Sequence, residues 1–177
     1  MIYPPSDDSV LLLEQVKKYA KGKKVLDMGT GSGIQAETAL KNKAKLVIAT
    51  DINKESAAAL KNKGIKFIQS DIFLKVKGRF DLIIFNPPYL PLDLREDKES
   101  ALATTGGKQG DELILKFLKQ AQKHLTKKGI ILLVLSSLTP QSLIKKLLEQ
   151  LKMKFQLLSE KKFFMEKLEV WKIYKDF

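Results

Sequence analysis

Lys24-Val25-Leu26-Asp27-Met28-Gly29-Thr30-Gly31-Ser32-Gly33-Ile34 decides the fold. A short apolar run stops at a cluster of glycines, and helical spacing of apolar residues resumes over 34–42. A strand that turns through glycines into a helix is the opening of a βαβ unit. Its turn lies at the carboxyl edge of the sheet, where open α/β folds bind ligands.

Outward from this stretch, strand and helix patterns alternate. Helices are expected over 7–20, 54–63, 111–125 and 140–152, the first with Ser6 or Asp7 as N-cap and the last opening at Pro140. Strands are expected over 45–50, 65–69, 80–85 and 130–135, with two more in the tail at 155–158 and 168–174. Strands separated by helices pair in parallel through right-handed crossovers, which predicts a three-layer, doubly wound α/β sheet. A polar, turn-rich segment of about 25 residues follows the strand at 80–85. That is long for a compact domain and points to a functional loop.

The 177 residues suit a single domain, with no repeat or linker to divide it. With no cysteine, disulfides and thiolate metal sites are excluded. The lone histidine, His124, falls near a helix end and suits a capping or solvent role. No run approaches a membrane span, and Pro4, Pro5, Asp7 and Asp8 are unlike a signal peptide, so a cytoplasmic protein is expected. The net charge is +12 and the pI about 9.7, which suits a polyanionic or ribosome-related environment. Arg79 and Arg95 are nevertheless the only arginines, and scattered lysines are a common solvated surface.

The glycine turn departs from the nicotinamide fingerprint, whose sixth position should be glycine and is Ile34 here. Asp27, two places before Gly29, suits a cationic ammonium and would repel a pyrophosphate. Asp51, followed by Ile52, closes the second strand where a carboxylate can accept from both ribose hydroxyls. Asp71 can accept from an adenine amino group while Ile72 packs on the ring. Singly, each aspartate fits a turn or cap. Together, carboxylates at three successive strand ends, with Gly29, Gly31 and Gly33 at the first, describe a pocket for the adenosyl sulfonium of S-adenosyl-L-methionine.

The strand at 80–85 runs into Asn86-Pro87-Pro88-Tyr89. Two prolines remove backbone donors and prevent the strand from extending. The Asn86 side chain and the Pro87 carbonyl are left as acceptors for a planar NH2 group, with Pro88 and Tyr89 completing the substrate contact. Asn86, Pro87 and Tyr89 are therefore the candidate catalytic residues. An ordinary Pro-Pro turn is the alternative for the isolated tetrapeptide.

These motifs resemble the class I methyltransferases, and within them the short archaeal and eukaryotic branch of the HemK-type protein-glutamine N5-methyltransferases. Tyr3-Pro4-Pro5-Ser6-Asp7-Asp8-Ser9, followed by Leu11-Leu12-Leu13, is similar to that branch's opening segment. The resemblance implies that Ser9 helps hold the cofactor. Gly106-Gly107-Lys108-Gln109-Gly110 is similar to the family's Gly-Gly-x-x-Gly loop. Asp7 stands where glutamate is frequent, and Thr104-Thr105 where an aromatic residue frequently precedes the glycines. Bacterial members carry a helical domain ahead of the first strand; here the segment before Lys24 is short.

The resemblance implies one Rossmann-like domain over 1–177, with a mostly parallel seven-stranded sheet and an antiparallel C-terminal strand. It implies methylation of the glutamine in the Gly-Gly-Gln motif of a class 1 translation termination factor. It also implies a small zinc-binding activator subunit over an apolar sheet edge, to which Phe67, Ile68, Ile72 and Phe73 could contribute unless they face the core. The alternatives are an RNA or DNA methyltransferase acting on an exocyclic amine, and a non-catalytic methyltransferase-like subunit. No added recognition domain or aromatic-rich basic patch favours the first, and a scaffold has no chemical need for Asn86 to Tyr89.

Overall fold

The computed structural model describes residues 6–92 and 104–175. Tyr3, Pro4, Pro5, Arg95 and most of the long segment after Tyr89 therefore lie outside the described residues. The chain runs α1 (Asp7–Tyr19), β1 (Lys24–Met28), α2 (Ile34–Lys41), β2 (Leu46–Asp51), α3 (Ser56–Ala59), β3 (Lys66–Gln69) and β4 (Phe80–Phe85). Then come β5 (Leu90–Pro91), β6 (Thr105–Gly107), α4 (Glu112–Ala121), β7 (Leu125–Ser136), α5 (Gln141–Gln150), β8 (Met153–Lys162) and β9 (Lys167–Lys175).

Seven strands form one sheet in the order β3-β2-β1-β4-β7-β9-β8. From β3 to β7 every pairing is parallel, and β9 is inserted antiparallel between β7 and β8. This is the predicted Rossmann-like sheet with its antiparallel C-terminal strand. The central strands are buried on both faces, which explains their nearly continuous apolar sequences. On one face Leu26, Ile83, Ile131 and Leu133 pack with Ile114, Phe117 and Leu118 of α4 and Ile144 and Leu148 of α5. On the other, Val25, Leu82, Ile84 and Leu132 pack with Leu12 and Val16 of α1 and Ala36 and Ala39 of α2.

The structure differs from the sequence expectation in four places. The helix predicted over 54–63 shrinks to α3, and the chain then turns through left-handed backbone at Asn62 and Gly64, with φ of 63° and 71°. β7 begins at Leu125, ahead of the strand expected over 130–135, and runs through Gly129. A Cβ there would stand 2.7 Å from the Phe80 carbonyl oxygen, so glycine lets β7 pass close to β4. The β8–β9 hairpin extends through polar Ser159–Lys162, whose pairing the apolar pattern does not reveal. A two-stranded parallel ribbon of β5 and β6, also not anticipated, starts directly after Tyr89.

Candidate active site

Parallel register places the proposed residues at one edge. Met28 lies beside Thr50 on β2 and Phe85 on β4, so the glycine turn, Asp51 and Asn86 leave adjacent strands together. Asp51 is in register with Gln69, bringing the turn that carries Asp71 to the next position along the edge.

Asp27 is buried and serves as the turn's internal anchor. Its Oδ2 accepts from Thr30 Oγ1 at 2.6 Å and from the Ala36 N–H at 3.1 Å. Burial pushes its pKa up to about 7, against the opposing effect of these two bonds and with a further upward contribution from Asp51. A neighbouring cation would restore the carboxylate. Gly31, at φ 51°, has open space where a Cβ would project, and its N–H donates to Asp51 Oδ2 at 2.8 Å. The Asn53 N–H holds Asp51 Oδ1 at 2.9 Å. Gly33 has φ 82°, and a Cβ there would meet Leu60 Cδ2 at 2.5 Å. The turn thus combines a glycine-lined cradle with two carboxylates, a donor set that fits an adenosyl sulfonium.

The Asp71 turn is arranged differently from the expectation. Asp71 is exposed and ion-paired with Lys116 Nζ of α4 at 2.9 Å. Ile72 is only 6% exposed and packs within the core cluster. The cause is local: Ser70 Oγ donates to the Ile72 carbonyl at 2.9 Å, and Ile72 takes an unusual φ of 45° for a β-branched residue. Phe73 is likewise internal, stacked on Phe117 and His124, so neither it nor Ile72 contributes to an apolar edge. Ile52, 69% exposed beside Asp51, is the open apolar side chain at this place.

Asn86 and Tyr89 meet a residue that sequence reasoning did not assign to the site. Asn86 Nδ2 and the Tyr89 hydroxyl both donate to Asp8 Oδ2, each at 3.1 Å. Asn86 Oδ1 is buried and has no hydrogen-bond partner among the described residues. Thr139 Oγ1 donates to the Tyr89 carbonyl at 2.7 Å, fixing the far end of the tetrapeptide. Gly106 closes on its middle: a Cβ there would stand 2.6 Å from the Pro88 carbonyl oxygen and would also strike the Gly110 carbonyl. Pro87 is buried, and Pro88 is half-buried against this loop.

Ser9, expected at the cofactor, turns its hydroxyl to Asp8 Oδ1 at 3.3 Å. Its carbonyl accepts from Gln35 Nε2 of α2 at 2.8 Å, so α1 joins Asn86 to the helix that follows the glycine turn. Asp8 and Gln35 were missed because each reads as an ordinary polar residue near a helix start. The visible signal was two adjacent acids, Asp7 and Asp8, where one suffices for the helix dipole. His124 stays outside this cluster, its Nδ1 3.0 Å from the Gly78 carbonyl. A groove of about 900 Å³ between α5 and β8, lined by Lys145, Lys152 and Phe155, contains none of these carboxylates.

The methyltransferase small domain matches residues 6–165. A Methanocaldococcus jannaschii protein, provisionally named a protein N5-glutamine methyltransferase, is 39% identical over 78% of this chain and 74% of its own length. The release factor glutamine methyltransferase of Lactococcus lactis is 35% identical over 62% of this chain, a match spanning only 46% of that enzyme. Among solved structures, a chain of the E. cuniculi Mtq2–Trm112 complex superposes with a TM-score of 0.79 at 24% identity, covering 98% of both chains. The chain belongs to the methyltransferase small domain family, among the relatives of the HemK-type glutamine methyltransferases.

Proposed function

We propose that this protein transfers a methyl group from S-adenosyl-L-methionine to the side-chain amide of a glutamine, the one in the Gly-Gly-Gln motif of a class 1 translation termination factor. The observation that carries the reading is the buried, unpartnered Asn86 Oδ1 beside prolines that cannot donate. An unmatched buried acceptor costs about 1–3 kcal/mol, and a binding site can carry that cost because the partner arrives with the substrate. The names of the relatives support a release-factor glutamine.

Asp27, Gly29, Gly31, Gly33, Asp51 and Ile52 would hold the cofactor, with Asp71 at the adenine end and Ser9 acting through its contacts to Asp8 and Gln35. When bound, S-adenosylmethionine supplies an electrophilic methyl group on a sulfonium. The amide nitrogen of glutamine is a poor nucleophile because its lone pair is delocalised into the carbonyl. Asn86 Oδ1 and the Pro87 carbonyl accept its two N–H bonds, raise its electron density and fix its direction. Tyr89 bounds the plane of the amide. Alignment of this kind can supply roughly 7–11 kcal/mol, and the displaced proton can pass to solvent without a histidine.

In the E. cuniculi structure Mtq2 is in complex with Trm112; a small zinc-binding activator subunit is the partner proposed for the present chain. Leu74, 77% exposed in the segment that follows β3, would supply apolar surface to it. Among the described residues no helix is long and apolar enough to cross a membrane.

The test is Asn86→Ala assayed with labelled cofactor. Cofactor affinity should stay within about threefold while transfer falls at least roughly 100-fold, as expected for a contact made chiefly to the acceptor. Unchanged transfer would remove Asn86 from the mechanism.

A further inference from the structure

Asn86 can serve as an acceptor for an incoming NH2 only if its amide is held in one of two orientations. Flipped, it would present its own NH2 to the substrate and repel it. An ionised carboxylate accepts hydrogen bonds and donates none, so a carboxylate on one side of the amide selects the orientation that sends oxygen to the other. Asp8 stands in that position, with Asn86 Nδ2 3.1 Å from its Oδ2 and Asn86 Oδ1 left without a partner.

Asp8 is itself restrained. Its Oδ1 receives the Ser9 N–H at 2.5 Å and the hydroxyls of Ser6 and Ser9, while Oδ2 also receives the Tyr89 hydroxyl. The residue is 5% exposed, so these bonds work in a weakly screened environment. Helix capping does not account for this arrangement: Ser6 occupies the N-cap of α1, and Asp8 reaches across to a residue 78 positions away.

We infer that Asp8 is a positioning residue for methyl transfer, which sets the sense of the Asn86 amide and the tilt of Tyr89 from the first turn of α1. The inference rests on the reading of Asn86 as the contact to the acceptor amide. Asp8 also adds negative charge behind Asn86. Hydrogen bonding from Nδ2 to a carboxylate polarises the amide and makes Oδ1 a better acceptor as positive charge develops on the substrate nitrogen.

Asp8→Asn keeps the shape but lets the new amide donate to Asn86 Oδ1, so the orientation is no longer imposed. The variant should lower kcat roughly 10- to 100-fold, the usual worth of a charge-assisted hydrogen bond, with cofactor affinity and KM changed less than about threefold. In an Asn86→Ala background the same substitution should cost clearly less than in the wild type, because only the contact to the Tyr89 hydroxyl is left for Asp8 to act through. NMR of the intact wild-type protein gives a readout independent of turnover. The Asn86 side-chain NH2 should exchange slowly with solvent, and its resonance should move on Asp8→Asn substitution.

Loss of activity in Asn86→Ala with full activity in Asp8→Asn would overturn the inference and leave the acceptor reading standing. Full activity in Asn86→Ala would remove both. If Asp8→Asn does not fold, a freely exchanging Asn86 NH2 in the wild-type protein still refutes the role given to Asp8.

Discussion

Asp8 and Asn86 are 78 positions apart in the chain, yet their side chains meet at 3.1 Å. The contact ties the first turn of α1 to the end of β4. Ser9 and Gln35 extend the tie to α2, so the two halves of the proposed site, one for the methyl donor and one for the acceptor, share a single hydrogen-bonded frame.

Asp27 makes cofactor affinity pH-dependent. Its folded pKa of about 7 exceeds the ordinary 3.8 because burial disfavours the charge. A cationic ligand favours the ionised form, so binding below pH 7 should release a proton and affinity should rise with pH, levelling above about 7. Calorimetry in buffers of different ionisation enthalpy checks this; proton uptake on binding would contradict it.

The same carboxyl affects stability. A raised folded pKa means that the native state holds a proton the unfolded chain has lost. The stabilisation is complete below the unfolded value of 3.8 and is lost as pH rises through about 7. Asp27→Asn should therefore raise Tm at pH 8 relative to the wild type, have a smaller effect at pH 5, and weaken cofactor binding. Thermal unfolding of both proteins across pH checks the sign.

Asp71 should matter to the ligand more than to the fold. Its ion pair with Lys116 is about half exposed at both ends, with side chains 46% and 53% accessible, and such pairs contribute about 0–1 kcal/mol. Loss of one hydrogen bond to adenine corresponds to about 2- to 12-fold in Kd. Asp71→Ala is expected to weaken cofactor binding within that range with little change in Tm, measured by titration and thermal unfolding.

Gly106 is a steric necessity. Its φ is not in the left-handed region, so the reason for glycine is the approach to the Pro88 and Gly110 carbonyls. Gly106→Ala should displace the loop from the Asn86–Tyr89 tetrapeptide. Overpacking costs about 1–3 kcal/mol, equivalent to a Tm lower by about 2–12 °C in a chain of this size, and kcat should fall with it. Wild-type kcat and Tm would show that the loop has room to yield.

The sheet was legible in the sequence because each central strand is buried on both faces and leaves an uninterrupted apolar run. Ile83-Ile84-Phe85 and Leu132-Leu133-Val134 are direct examples. Asp27, Asp51 and Asn86 were legible because they terminate such runs. Asp8 was not, since its partner is distant in sequence and an acid in a first helical turn has an ordinary explanation. The burial of Ile72 was not legible either, since it accompanies a turn conformation that composition does not disclose.

The most direct test of the central claim is the identity of the methyl acceptor. Purified protein, with and without a candidate zinc-binding partner, is incubated with labelled cofactor and either termination factor or total RNA, and labelled protein is mapped by mass spectrometry. The proposed chemistry predicts one added methyl group on the glutamine of Gly-Gly-Gln and no label in RNA. Label in RNA with none in the termination factor would contradict it.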